Sequence, residues 1–197
     1  MVGRILGAID DEGLRDNNTA AFHIAVRVVK LTVLVVDSQP RWEYRYLRNA
    51  LARDPGVALS CMLFHPNIGT GGGRDYLSAF PGSREMLSRY DVIFLGDVGV
   101  GKGQLSKKDA ELIKGLVEQQ GSGLVFMPGR RGNHLSLMDS PLKELMPVVL
   151  DDAKRTGVGL QNESALTLSS RGRGHLLTRF DADEMVNEQI WKMLPGF

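Results

Sequence analysis

Apolar runs and amphipathic stretches alternate along the chain from Leu31 onwards. Four short runs rich in β-branched and aromatic residues predict buried parallel strands, at residues 31–36, 57–64, 91–97 and 123–127. Stretches with apolar residues at helical spacing lie between them and predict helices, at residues 41–53, 83–90 and 106–120. This alternation predicts an α/β fold of the flavodoxin-like class, a doubly wound, mostly parallel sheet with helices on both faces.

The first predicted helix carries an apolar stripe that we expect to pack on the sheet. The stripe consists of Trp42, Tyr46, Leu47, Ala50 and Leu51. Glu43, Arg45 and Arg48 lie outside it, and Tyr44 is the aromatic residue that this phase leaves partly exposed. In the third helix, Ser106 predicts an N-cap with Asp109 in an acidic first turn, and Gly121 predicts the end of the helix.

The two ends of the chain have weaker patterns. Residues 135–145 predict a short helix, residues 166–177 a hairpin or strands, and residues 182–193 a terminal helix. Near the other end, residues 21–29 alternate as a half-buried strand does, and such a strand needs a partner in the main sheet, another chain or a preceding domain. We therefore divide the chain into an extension over residues 1–30 and a main domain over residues 31–197.

Composition and charge exclude several classes of function. The 197 residues carry 24 Lys and Arg against 23 Asp and Glu, so no overall field favours nucleic acid or an anionic membrane. No apolar stretch approaches the ~20 residues that span a bilayer, which predicts a soluble chain. Cys61 is the single cysteine and predicts a buried, inert thiol. The four histidines are dispersed without metal-ligand spacing, so we expect neither metal nor cofactor.

Several segments together resemble a known family. They are VLVVDSQPRWEYRYLRNALARD, DVIFLGDV, GSGLVFMPG, SPLKELMPVVL and NEQIWKMLP, in this order. From residue 31 to 197 the chain resembles the class I glutamine amidotransferase-like domains of large bacterial envelope-associated proteins. In many members a β-sandwich segment and a von Willebrand type A domain come first, and DNNTAAFHIAVRVV is similar to the last strand of such a sandwich.

The resemblance implies a scaffold without the family's catalytic nucleophile. Glutamine hydrolysis requires a thiolate on a tight strand-to-helix turn, a histidine that activates it and an oxyanion hole. Met127 or Pro128 falls where the cysteine of that turn would stand, and neither side chain can attack a carbonyl. Cys61 comes too early in the chain, while His134 and His175 are candidates for the old base position. We therefore expect a pseudoenzyme.

Polar residues follow several of the predicted strands, where doubly wound sheets bind their ligands. Asp37 and Asp97 end neighbouring strands, so they are candidates to bind a ligand or cation, and Asp97 with His134 is a catalytic candidate. The alternative is that both aspartates cap turns and helices. Arg130 and Arg131 follow the fourth strand and are candidates to bind a carboxylate or phosphate, with solvated side chains as the alternative.

Three further segments resemble anion-binding elements in composition. Gly96–Gly103 nearly matches a phosphate-binding loop, but Gly103 stands where the magnesium-binding hydroxyl belongs and the helix begins only at Ser106. Gly69–Arg74 offers backbone amides, with a surface loop as the alternative. Arg171–His175 is basic and is predicted to form a hairpin turn.

Two hypotheses of different classes follow. The first is a non-catalytic interaction module that uses its loops or N-terminal strand to hold a neighbouring domain or subunit, including a second copy. The second is a cysteine-independent hydrolase or a binding domain for a small, sugar-like ligand, which uses Asp37, Asp97, Arg130 and His134. Both place the function at loops and edges of the α/β domain.

Overall fold

The computed structural model of the protein describes residues 29–65, 73–150, 153 and 166–194, together with the backbone of the strands at 2–6 and 19–23. The chain divides into two compact units, Met1–Leu150 and Asp151–Phe197. Within the described residues, none of the helices has both the length and the apolar character that crossing a membrane requires.

Strands β1 (Val2–Leu6) and β2 (Thr19–His23) form a separate antiparallel sheet of two strands. β2 overlaps the start of the predicted strand, whose residues 24–28 lie outside the described residues. β2 pairs with β1, which the sequence did not predict. A partner that is close in sequence needs only a short loop, and closing a short loop costs little chain entropy.

The main sheet confirms the predicted flavodoxin-like α/β architecture. Its four strands are all parallel and run in the order β4-β3-β5-β6, where β3 is Leu31–Asp37, β4 Val57–Leu63, β5 Val92–Leu95 and β6 Gly123–Phe126. The chain passes from β3 to β4 on one side and then to β5 on the other. The strand order therefore reverses between β3 and β5, and their carboxyl ends meet where such sheets hold ligands.

Helices cover both faces of this sheet. Helix α1 (Trp42–Arg53) packs on one face against a cluster formed by Val33, Val35, Tyr44, Cys61 and Leu63. The other face packs against α2 (Arg84–Leu87), α3 (Lys107–Gln120) and the 3-10 helices Asn133–Asp139 and Pro141–Leu145. Because successive residues of β3 alternate between the two clusters, Val33 to Val36 are all buried.

The predicted helix boundaries hold for α3 and differ further along the chain. Ser106 is the predicted N-cap and forms a capping box with Asp109, and Gly121 ends α3 in the left-handed conformation at φ 74°. The predicted helix at residues 135–145 is instead a pair of 3-10 helices. Ser140 is extended between them, and Pro141 begins the second, since proline is well tolerated in a first helical turn.

The predicted stripe of α1 is wrong for Trp42, Tyr46 and Ala50, whereas Leu47 and Leu51 pack on the sheet as predicted. Tyr44 is 1% exposed, whereas Trp42 and Tyr46 are 69% and 70% exposed. Since successive helical residues are rotated by about 100°, Tyr44, Leu47 and Leu51 form the inner stripe, and the two other aromatic residues lie on the opposite side. The phenol of Tyr44 donates a hydrogen bond to the Tyr76 hydroxyl at 3.0 Å, which satisfies its polar end inside the protein.

The second unit is helical where it is described. It contains α4 (Ser170–Gly174), a 3-10 helix (Leu176–Thr178) and α5 (Glu184–Met193), of which α5 confirms the predicted terminal helix. Residues 166–177 were predicted to form a hairpin or strands. The structure describes all of these residues and contains neither element there. The Ser169 hydroxyl accepts a hydrogen bond from the Gly172 amide and begins a helical turn there instead, so the basic cluster at residues 171–175 is not a hairpin turn.

Candidate functional site at the strand ends

Asp37 is the last residue of β3 and is completely buried. Its Oδ1 accepts hydrogen bonds from the amides of Ser38 at 2.7 Å and Asp97 at 3.3 Å, and its Oδ2 accepts one from Arg41 Nε at 2.8 Å. Burial raises the pKa of Asp37 above its ordinary value, while Arg41 and the neighbouring amides oppose that shift. Both carboxylate oxygens are thus bonded to the chain itself.

The guanidinium of Arg41 also contacts the segment that follows strand β6. Its Nη1 donates to the Pro128 carbonyl at 3.1 Å and its Nη2 to the Met127 carbonyl at 2.5 Å, both just after β6. The guanidinium therefore connects the ends of β3 and β6, which are separated in the sheet by β5. Arg41 was not among the predicted site residues. Its position four residues after a strand-end aspartate is a signal that could have identified it.

The segment after β6 differs from a nucleophile turn. Residues 127–132 separate β6 from the next 3-10 helix, and Gly132 adopts φ 66°. Across the part of the chain that the structure describes, only glycines have positive φ, so the strained non-glycine residue of a nucleophile elbow is not found there. The expected tight turn at Met127 or Pro128 is therefore replaced by a wider loop whose carbonyls bind Arg41.

Asp97 holds that loop against the end of β5. Its Oδ2 accepts the Arg131 amide and its Oδ1 accepts the Asn133 amide, both at 2.8 Å. His134 Nδ1 lies 3.4 Å from the same Oδ1, and Asn133 Nδ2 donates to the Asp97 carbonyl at 3.0 Å. The candidates Asp97 and His134 are thus brought together, and the bonds to the loop favour the capping role that was the alternative for Asp97.

The two predicted arginines of this loop face solvent. The side chains of Arg130 and Arg131 are exposed, and no ion pair or side-chain hydrogen bond joins them to other described residues. Arg131 contributes its backbone amide to Asp97 rather than its guanidinium. His175, the other base candidate, lies in the second unit, where its Nδ1 accepts the Leu177 amide at 3.2 Å.

The glycine-rich segment after β5 forms a closed turn. The amide of Gly99 donates to Gln104 Oε1 at 2.5 Å, that of Val100 to Ser136 Oγ at 2.9 Å, and that of Gly101 to the Leu105 carbonyl at 2.9 Å. A phosphate-binding loop presents such amides to its ligand, so these three are unavailable to an anion. Residues 69–72 of the other glycine-rich segment lie outside the described residues.

Cys61 should not react with thiol reagents while the protein is folded. It is completely buried in β4, and burial raises the pKa of its thiol. We expect labelling by iodoacetamide at neutral pH to be at least about 1000-fold slower in the native protein than in the unfolded one. Mass spectrometry of timed samples measures both rates.

An exposed cysteine provides the matched control for that experiment. Ala52 lies on the solvent side of α1, so Ala52→Cys should add one rapidly labelled thiol. Equal labelling rates at the two positions would show that Cys61 is accessible.

Among the residues described, no three His, Cys, Asp or Glu side chains are grouped to bind a metal ion. Comparisons with protein-family models, with curated proteins and with solved structures return no match for this chain.

Proposed function

We propose that the chain is a non-catalytic, glutamine amidotransferase-like interaction module of a larger bacterial envelope-associated protein. One observation carries this proposal: the carboxylates of Asp37 and Asp97, which a catalytic or metal-binding site would direct at a ligand, are buried and bonded to the chain's own amides and to Arg41. Such bonds stabilise the strand-end loops, so they support a structural role for this edge of the sheet.

The surroundings of His134 support the same proposal. An activating histidine needs an attacking group within hydrogen-bond reach and a second group that orients it. Asp97 has the position of an orienting group, at 3.4 Å from Nδ1. Within the described part of the chain, however, the His134 ring is hydrogen-bonded to Asp97 and to no hydroxyl or thiol. An orienting group and a histidine without a nucleophile do not complete an acyl-transfer site.

Glutamine hydrolysis by the purified chain tests this proposal. We expect the release of glutamate from glutamine to equal that of a protein-free blank, both for the wild type and for His134→Gln. Release above the blank that is lost in His134→Gln would contradict the proposal and would make His134 a catalytic residue. The measurement is an enzyme-coupled glutamate assay, and circular dichroism of each variant verifies that the comparison is made between folded proteins.

A second candidate is a binding domain for a small anionic or sugar-like ligand. It is favoured by Arg130 and Arg131, whose exposed guanidinium groups have no ion pair among the described residues. The Ser38 hydroxyl supports it as well, because it is 2% exposed at the same edge and has no hydrogen-bond partner among the residues described. Buried hydroxyl groups without a partner are rare in native proteins.

A thermal-shift screen distinguishes the two candidates, because a ligand that binds the native state raises the melting temperature. The compounds are glutamine, phosphate, nucleotides, sugars and sugar phosphates. A concentration-dependent rise that disappears in Arg130→Ala/Arg131→Ala but persists in Arg89→Ala, an exposed arginine elsewhere, would establish the ligand-binding candidate. We expect no shift from any of these compounds, as the interaction module requires.

A further inference from the structure

The outer face of α1 consists of Trp42, Arg45, Tyr46, Asn49 and Arg53, all of which are exposed. The rings of Trp42 and Tyr46 stack at a centroid distance of 6.0 Å and an angle of 27°. The guanidinium of Arg45 lies 5.6 Å from the Trp42 ring centroid, within the range of a cation–π interaction. The three side chains thus form an ordered aromatic and cationic surface.

This surface is costly to leave in water. Trp42 and Tyr46 are 69% and 70% exposed, on the side of α1 opposite to buried Tyr44. Large aromatic side chains and arginine are the residue types that contribute most to protein–protein binding, and adjacent exposed aromatic residues mark interaction sites. Neither ring contributes to the core beneath α1, so a requirement of folding does not explain their presence.

The charges of this face are predominantly positive. Arg45 and Arg53 form no ion pair with any described residue, whereas Arg48, on the inner flank, lies 3.8 Å from Asp75. Glu43 and Asp54 are the acidic residues beside the face in sequence. The Glu43 carboxylate lies 3.8 Å from Arg41, and the Asp54 carboxylate accepts the Gly56 amide at 2.7 Å. Two arginines without counter-charges therefore flank the stacked rings, and a complementary partner carries carboxylates.

We propose that the outer face of α1 docks an acidic segment of a partner protein, with carboxylates opposite Arg45 and Arg53 and an apolar side chain on the Trp42–Tyr46 stack. This inference rests on the proposed function and names the partner's chemistry. Helix α1 has 12 residues, a length of about 18 Å. A segment of about three helical turns, acidic on one face and apolar beside it, matches that length.

Two other occupants fit the same face less well. In a symmetric dimer through α1, Arg45 and Arg53 would face the same positive charges of the second copy. A nucleic acid requires several phosphate contacts, but this face has two unpaired arginines and the whole chain has a net charge of only +1. The Trp42 ring is also already in contact with Tyr46 and Arg45, which reduces the area on which a base can stack.

Tryptophan fluorescence can report binding at this face directly. The chain has two tryptophans, so in a Trp191→Phe background the emission comes from Trp42 alone. The probes are a 15-residue peptide of Glu, Ala and Leu with its leucines along one helical side, the same peptide with Gln in place of Glu, and a 15-nucleotide oligothymidylate. Calorimetry with the wild-type chain repeats each titration without the substitution of Trp191.

We expect the acidic peptide to shift Trp42 emission to shorter wavelength, to protect it from acrylamide quenching and to bind at least about tenfold more tightly than the Gln peptide. Arg45→Gln/Arg53→Gln and Tyr46→Ala should each weaken this binding about tenfold, and the control Arg89→Gln should leave it unchanged. Higher salt should weaken binding, since the contacts are between exposed charges.

Other outcomes overturn the inference. Equal binding of the acidic and Gln peptides, no change in Trp42 emission, tighter binding of oligothymidylate, or a dimer of the free chain in sedimentation that dissociates in Tyr46→Ala would each exclude an acidic protein segment as the occupant. None of these outcomes changes the glutamate assay. Conversely, glutamine hydrolysis that depends on His134 would contradict the proposed function without affecting the peptide titration, so the two failures are distinguishable.

Discussion

Replacing Asp37 with alanine should lower the free energy of unfolding by about 3–5 kcal/mol, the range found when one partner of a buried ion pair is removed. The substitution leaves Arg41, whose side chain is 12% exposed, without its buried counter-charge, and it removes the acceptor of the Ser38 and Asp97 amides. Urea denaturation followed by circular dichroism measures the change.

The ion pair between Arg48 and Asp75 is the matched control for that prediction. Its charges lie 3.8 Å apart, and the Asp75 side chain is 41% exposed. Because solvent screens such a pair, Asp75→Ala should cost less than about 1 kcal/mol. Asp37→Asn should fall between the two variants, since the amide oxygen still accepts a backbone bond. If Asp37→Ala were no more destabilising than Asp75→Ala, the carboxylate would not hold the strand ends.

Gly96→Ala should destabilise the protein by about 3 kcal/mol, as overpacking in a rigid interior does. A Cβ atom at Gly96 would lie 2.1 Å from Asp37 Oδ2 and 2.3 Å from its Cγ. Relief of this collision requires the carboxylate to move away from Arg41, since the Gly96 amide is bonded to the Val36 carbonyl and fixes the backbone. The unfolding free energy is again measured by urea denaturation.

Gly101 serves as the control for this second substitution. A Cβ atom there meets no atom within 4 Å, and the residue is not among the described glycines with positive φ. Gly101→Ala should therefore leave stability unchanged or raise it by a few tenths of a kcal/mol through the unfolded state. In a double-mutant cycle, Gly96→Ala should cost much less when Asp37 is already alanine. Additive costs would show that the collision lies elsewhere.

The strands of the main sheet were predictable because their signals are local and mutually consistent. Val33 to Val36 are apolar and mostly β-branched, as a strand buried on both faces requires, and the structure places this run at the centre of the sheet. The ends of α3 were equally predictable, because Ser106 and Asp109 form the cap at its start and Gly121 directly follows its last residue. Residues close in sequence determine such features.

Local sequence signals could not predict which side of α1 packs on the sheet. Counting aromatic residues favours the side of Trp42 and Tyr46. The side that packs is the one whose Tyr44 enters the cluster of β3 and β4 and bonds to Tyr76, 32 residues away. The hydrogen bonds at the strand ends could not be predicted for the same reason. Asp37 and Asp97 were identified from their positions after strands. The partners of Asp97, Arg131 and Asn133, and the Met127 carbonyl that binds Arg41 come from a loop that only the folded sheet brings near.

The side chain of Arg41 affects how the stability of the fold depends on ligands in the solution. In a sheet whose strand ends are held together by a bound ligand, stability rises with the concentration of that ligand by mass action. Here a covalently attached guanidinium joins β3 to the carbonyls after β6. Its effective concentration is set by the short connection from Asp37, so this link between the strand ends does not depend on the concentration of any ligand in solution.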